Sequence, residues 1–180
     1  MSLRDLFRRD RSEAVAHDLY GAVVRQSRLP AFYQADCVPD TLDGRFDLIA
    51  LHAFLLMRRL KSESEPGRRL AQALFDVVFA DMDQNLREMG VGDLAVGKRV
   101  KAMASAFYGR VAAYDAGLAG DNAALADALR RNLYGTVNAE PAAVLRMVEY
   151  LRGEACSLDA VPLSQLLVGR FQFGLATSDR

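Results

Sequence analysis

Two cysteines and two histidines are all that the 180 residues offer to a soft or borderline metal. Cys37 and Cys156 lie far apart and form no Cys-x-x-Cys pair. That excludes a disulfide framework and leaves no zinc site of the thiolate–imidazole type. Both thiols read as buried or half-buried packing groups in a reducing compartment. Neither sign of charge is in excess, since 23 basic side chains face 23 acidic ones. A nonspecific nucleic-acid binder carries a basic surplus, and none is present. Long apolar runs are missing too. The greasiest stretch, Leu48 to Met57, is interrupted by His52 and falls short of a bilayer. The first eleven residues hold Arg4, Arg8, Arg9 and Arg11 with Asp5 and Asp10. No apolar core or small-residue cleavage site follows, so they do not read as a secretory leader. A cytoplasmic protein is expected, with a peripheral place at the inner membrane's cytoplasmic face left open.

What is present is apolar periodicity. Apolar residues make up 51% of the chain and charged ones 26%. That is too apolar for disorder and enough for one core without staples. The spacing is helical throughout, with few β-branched clusters. Ala16, Leu19, Tyr20, Val23 and Val24 mark a helix over about Glu13 to Gln26, capped by Ser12. The stretch from Ala31 to Phe46 reads as a loop or short turn. A helix apolar nearly all round then follows, carrying Leu48, Leu51, Leu55 and Leu60, and it is expected at the centre of the core. Pro66 suits the start of the next helix, with Leu70, Leu74, Val78, Met82 and Leu86 on one face and Gly90 as its stop. A long helix runs from about Leu94 to Leu118. Gly97 and Gly109 inside it signal a bend or a close helix contact. Asp121 or Asn122 caps another helix. Pro141 opens a sixth, ended by Gly153; after Pro162, Leu163 to Leu167 read as room for one more short helix, and Phe171 and Phe173 dock the tail. The expectation is all-α: one bundle of about six helices over 12–175, with flexible segments at 1–11 and 176–180.

Catalysis has little to work with. No Glu-x-x-His pair, Gly-x-Ser-x-Gly elbow, complete phosphate loop or Gly-x-Gly-x-x-Gly fingerprint occurs. An enzyme would have to assemble His52, Asp76 or Asp83 and Arg110 around a pocket. His52 reads more simply as a hydrogen-bonded core residue. No cofactor, haem included, and no metal is expected. Basic groups at Arg58, Arg59, Lys61, Arg68 and Arg69, and at Lys98, Arg99 and Lys101, read as solvated helix ends or as contacts for anionic headgroups or ribosomal RNA. Leu3, Leu6 and Phe7 among arginines allow a weak membrane-surface contact.

Two regions mix aromatic and charged side chains as binding rims do. One is the connector with Arg28, Phe32, Tyr33, Asp40, Asp43 and Arg45. The other is the turn of Tyr108, Arg110 and Tyr114. All of these except Arg28, together with Asp81, Asp83, Arg87, Glu88 and Asp93, form the expected protein-binding face. Apolar edges near Phe32 and Tyr33 and near Phe171 and Phe173 join it, with Met82, Met89 and Met103 as adaptable contacts.

At these residues the chain resembles the ubiquinol–cytochrome c chaperone family. The likeness runs from about Tyr20 to Tyr150. It is carried by Val38-Pro39-Asp40-Thr41, Gly44-Arg45-Phe46-Asp47, Leu51-His52, Phe79, Asp81-Met82-Asp83, Leu86 to Asp93, Phe107-Tyr108-Gly109-Arg110, Tyr114 and Arg131-Asn132. Their order and spacing, rather than any one piece, make the match specific. The resemblance implies a non-enzymatic assembly factor of the respiratory bc1 complex. Such factors bind newly made cytochrome b, work with a small partner protein and sit near the ribosomal exit. Without a presequence or long N-terminal extension, the chain resembles the bacterial members. A helical membrane-associated adaptor for another client is the alternative.

Overall fold

The computed structural model describes residues 3–62, 64–174 and 176, with side chains from residue 12 onward. Eight helices and no strand occur among the described residues: α1 (Leu3–Ser27), α2 (Pro30–Gln34), α3 (Leu42–Lys61), α4 (Glu65–Glu88), α5 (Asp93–Ala119), α6 (Asn122–Asn132), α7 (Pro141–Ala160) and α8 (Leu163–Leu166). The all-helical bundle is as expected, but the count is eight rather than about six. Two short helices, α2 and α8, make up the difference.

The centre is α3. It packs against α1, α4, α5 and α7. Leu51 and Leu55 are 0% and 1% exposed, and burying each such side chain is worth about 1.5–3 kcal/mol. The helix starts at Leu42 because Thr41 caps it, its hydroxyl oxygen accepting from the Gly44 N–H at 3.1 Å. Gly44 has no substitute there. A Cβ would stand 2.0 Å from the Pro39 carbonyl oxygen. The connector therefore folds directly onto the first turn of α3.

The region expected to be a loop holds α2. Pro30 occupies its first turn, where a missing N–H costs nothing. Cys37 follows with φ 56, a left-handed residue that turns the chain back toward α3. Both cysteines are exposed, which corrects the expectation of buried thiols. α4 carries Pro66 in its first turn and ends at Glu88, and Gly90, with a φ of 79, lets the chain turn away just beyond it.

Two boundaries and one glycine reading differ from the sequence reading. α1 begins at Leu3 rather than near Glu13. The membrane-surface reading of Leu3, Leu6 and Phe7 rests on side chains outside the description. α7 runs through Gly153 to Ala160, because Glu154, Ala155 and Leu158 are buried. The Arg59 guanidinium caps its end, donating to the carbonyls of Leu158 at 2.9 Å and Val161 at 2.8 Å. Gly97 and Gly109 mark no close contact, since an added Cβ meets nothing within 4 Å at either.

The C-terminal stretch docks as expected. Phe173 packs its ring on His52 with centroids 5.0 Å apart. The Gly174 N–H donates to the Glu154 carboxylate, and the Gly174 carbonyl accepts from Gln26 at 2.8 Å. No helix among the described residues is long and apolar enough to cross a membrane.

Candidate functional site

A cleft of about 1080 Å³ opens where α1, α2, the connector into α3, the end of α4 and the first half of α5 meet. α1 supplies Tyr20, Val24 and Ser27, Arg28 follows directly after it, and α2 supplies Pro30, Tyr33 and Gln34. The connector and the start of α3 bring Asp40, Leu42, Asp43, Arg45, Phe46 and Ile49. The opposite wall is Asp81, Met82, Asn85, Leu86 and Met89, with Arg99, Ala102 and Met103 from α5. Met82 and Leu86 are buried in the floor, whereas Leu42 and Met89 at the mouth are 67% and 51% exposed. Large apolar side chains left open beside a concavity mark an interaction site.

Hydrogen bonds hold most of the polar lining. Tyr20 donates to Asp81 at 2.6 Å, and Asn85 donates to the same carboxylate at 2.9 Å. Burial first, and then the Asp81 carboxylate, push the Tyr20 phenol well above its ordinary range. Tyr33 donates to the Ser27 carbonyl at 2.7 Å, and burial raises its phenol as well. Arg45 pairs with Asp40 at 2.7 Å, which lowers the Asp40 carboxyl. Arg28 and Arg99 differ from these. Neither has a carboxylate partner among the described residues.

Beneath Phe46 lies a second polar group. Arg110 on α5 approaches Asp47 on α3 at 2.7 Å and lies 5.8 Å from the centre of the Phe46 ring. The contact is close but poorly aimed, for Asp47 Oδ1, Arg110 Nε and the Tyr114 hydroxyl have no hydrogen-bond partner. Desolvation outweighs the guanidinium, and the Asp47 carboxyl is pushed up to about 6.

His52 does not meet an aspartate. Its Nδ1 lies 2.8 Å from the Leu48 carbonyl and 3.0 Å from Ser27 Oγ, and its Nε2 lies 2.8 Å from the Tyr150 hydroxyl. A carbonyl only accepts, so Nδ1 carries the proton and Nε2 accepts from Tyr150. Burial pushes the imidazole down to about 4. It is a neutral core residue, and it does not meet Asp76, Asp83 or Arg110. Nor, among the described residues, do three of His, Cys, Asp and Glu converge as a metal site.

Of the thirteen residues expected on the binding face, Tyr33, Asp40, Asp43, Arg45 and Asp81 line the cleft. Met82, Met89 and Met103 line it too. Asp83, Arg87 and Asp93 form a clamp beside it. Arg87 bonds Asp83 at 2.5 Å and reaches across the Gly90–Gly92 turn to Asp93. Glu88 accepts from Gln84 at 2.8 Å. Tyr108, 53% exposed, stacks on Phe75 with centroids 5.4 Å apart and stays outside the cleft. Phe32 and Tyr114 are corrections. Both are 0% exposed, and a sealed ring offers no surface to a partner. The basic group at the end of α3 is another correction: Arg59 is buried, and Arg58 pairs with Asp115 and Asp159.

The sequence reading left Tyr20, Arg28, Leu42, Phe46, Ile49, Asn85 and Arg99 off the face. Arg28 and Arg99 were legible as cations near the right segments. The others are ordinary helix residues until the fold brings them together. The string from Gly92 to Lys98 spells the glycine–lysine part of a phosphate loop. Arg99 stands where the hydroxyl residue belongs, and helix rather than strand precedes the turn.

Residues 36–173 match the sequence profile of the family described as Ubiquinol-cytochrome C chaperone. The crystal structure of the Cbp3 homolog from Brucella abortus superposes with a TM-score of 0.84 at 37% identity, over 97% of this chain and 98% of that one. Ubiquinol-cytochrome-c reductase complex assembly factor 1 of Xenopus laevis is 27% identical over 150 residues, 83% of this chain and 75% of that protein. The human protein of that name is 27% identical over 150 residues, of which this chain spans only 50% of the length. A profile match over most of the chain and the same fold end to end place this protein in the ubiquinol–cytochrome c chaperone family.

Proposed function

We propose that this protein is a non-enzymatic chaperone that assists assembly of the ubiquinol–cytochrome c reductase complex by holding newly made cytochrome b. The observation that carries the reading is the likeness to the Brucella abortus Cbp3 homolog across 97% of the chain. The cleft supports it chemically. It joins an apolar floor to a ring of tyrosine, arginine and carboxylate side chains, and three methionines in its walls adapt to different side chains. His52 and Ser27 do meet, but both are sealed in the core rather than open to the cleft. The contact face is the cleft with its rim of Tyr33, Asp40, Asp43, Arg45 and Asp81. The Asp83–Arg87–Asp93 clamp fixes the angle between the α4 and α5 walls. A small partner protein, a contact near the ribosomal exit and a peripheral position at the membrane's cytoplasmic face belong to the same proposal, and they occupy surface outside the cleft.

The test is capture in cells. A photoreactive residue in place of Leu42 or Met89 should crosslink to cytochrome b, and deletion of the gene should lower assembled complex while cytochrome b transcript stays constant. Normal assembly in the deletion strain, with another membrane protein on the crosslinker, would falsify the assignment in favour of a general adaptor.

A further inference from the structure

The two halves of α5 are held very differently. Of the thirteen residues from Leu94 to Ala106, nine are exposed and only Val96 is buried. On the neighbouring α4, the thirteen from Leu70 to Met82 bury seven. No side chain from Leu94 to Ala106 makes a hydrogen bond or ion pair among the described residues. A helix of this length is marginal in water when packing does not support it. Gly97 weakens it further and serves no contact, since an added Cβ meets nothing within 4 Å.

From Phe107 onward the same helix is fastened. The Phe107 ring packs on Phe75 and Phe79 with centroids 5.8 and 5.7 Å apart. Arg110 meets Asp47 at 2.7 Å, and Tyr114 is buried. A Cβ at Gly117 would stand 2.9 Å from Leu125 Cδ1, so α6 lies directly against it. Arg152 donates to the carbonyls of Leu118 at 3.1 Å and Gly120 at 2.7 Å. At the opposite end, Arg87 ties Asp93 to α4. The weakly held stretch is therefore a strap tied at both ends.

That strap supplies Arg99, Ala102 and Met103 to the cleft wall. In the floor, Met82 and Leu86 are only 7% and 8% exposed. A client reaches them only when a wall moves, and this half of α5 is the wall held least. Segments with few buried side chains open locally long before the whole molecule unfolds. We infer that Leu94 to Ala106 unwinds locally while Asp93 and Phe107 stay in place, and that the client enters the cleft through the opened strap. This deepens the chaperone reading and rests on it for the identity of the client, whereas the opening is a property of the chain alone.

The test begins with hydrogen–deuterium exchange on the full chain without a client. The amides of Lys98 to Ala106 should exchange at least about a hundredfold faster than those of Val111 to Leu118. Gly97→Ala should slow exchange in the strap about fivefold, the effect of one glycine-to-alanine change inside a helix. Gly109→Ala is the same change beyond the strap, where an added Cβ also meets nothing. It should leave strap exchange within about twofold of the native rate. The second measurement is crosslinking of cytochrome b at Leu42 in cells. Apparent affinity follows the population of the open form, so Gly97→Ala should lower the yield by up to about fivefold, and Gly109→Ala should not. Even exchange along α5, or equal slowing of the strap by both variants, overturns the strap. Slowed exchange with undiminished crosslinking in Gly97→Ala overturns its role in admission. Absence of cytochrome b from the native chain's crosslinks overturns the chaperone reading and the admission role with it, while the exchange pattern still decides the strap.

Discussion

The two faces of α1 and α3 treat polar groups in opposite ways. On the sealed side, Gln26, Ser27, His52 and Tyr150 bond one another at 2.8–3.0 Å, with the Phe32 and Phe173 rings edge-on around the imidazole. Nothing there is left for a partner. On the open side, immediately past the end of α1, Arg28 is exposed, Leu42 and Met89 are bare, and methionines line the wall. Mutually bonded buried polar groups fix a structure, while solvated charges beside open apolar surface stay free to pair. Ser27 belongs to both. Its hydroxyl bonds His52 while its carbonyl accepts from Tyr33.

Breaking the sealed side should have the largest effect. His52→Ala removes a buried ring, its contacts with three aromatic neighbours and the acceptor for Tyr150. A loss of about 3–5 kcal/mol is expected in urea unfolding. A loss below about 1 kcal/mol would show that the network does not hold α1, α3 and α7 together. Gly44→Ala comes next, at about 2–3 kcal/mol, because the Pro39 carbonyl has to move from a site 2.0 Å from the new carbon. It joins the two regions, since the displaced connector carries Asp40. Capture of the client at the cleft should weaken along with the unfolding midpoint, and a midpoint shift with intact capture would break the proposed link.

Acid separates two buried groups of opposite sign. The imidazole of His52 falls from its ordinary 6.5 to about 4 on folding. The unfolded chain therefore binds its proton first, and stability drains away as pH falls from about 6.5 toward 4, by up to about 3 kcal/mol. The Asp47 carboxyl rises from 3.8 to about 6. Here the folded chain binds the proton first, so stability grows as pH falls through 6. The two slopes oppose each other between pH 4 and 6. A native chain nearly level across that window is expected, and Asp47→Asn should expose a steep loss in acid. Equal pH profiles for the two proteins would remove Asp47 from the balance.

The smallest effect on stability belongs to the rim. Arg45 and Asp40 are about 60% exposed and screened by water. Arg45→Gln should leave the unfolding midpoint where it was and weaken capture of the client at the cleft. A shifted midpoint with normal capture would move this pair from the open region to the structural one.

How much of this was legible depends on the kind of information each residue carries. Leu48, Leu51 and Leu55 announced a central helix because helical periodicity is local. Pro66, Gly90, Asp121 and Pro141 marked helix ends for the same reason. Gly153 misled because a helix runs past a glycine when buried neighbours and a distant Arg59 secure the turns beyond it. Phe32 and Tyr114 misled because an aromatic among charged residues looks alike on a rim and in a core. The cleft itself needs α1, α4 and α5 side by side, so Tyr20 and Asp81, 61 positions apart, meet only after folding.

The sequence by itself determined the helical class, most helix ends, the central place of α3 and the family. These follow from local spacing, caps and ordered motif residues. Only the tertiary structure decided which mixed residues face water. It put Arg28 and Arg99 on one cleft, sealed Phe32 against His52 and Tyr150, and turned His52 toward Ser27 and Tyr150 instead of the aspartates. The physical reason is that burial and pairing depend on contacts between segments far apart in the chain, and no local pattern encodes which of two apolar faces a neighbouring helix will cover.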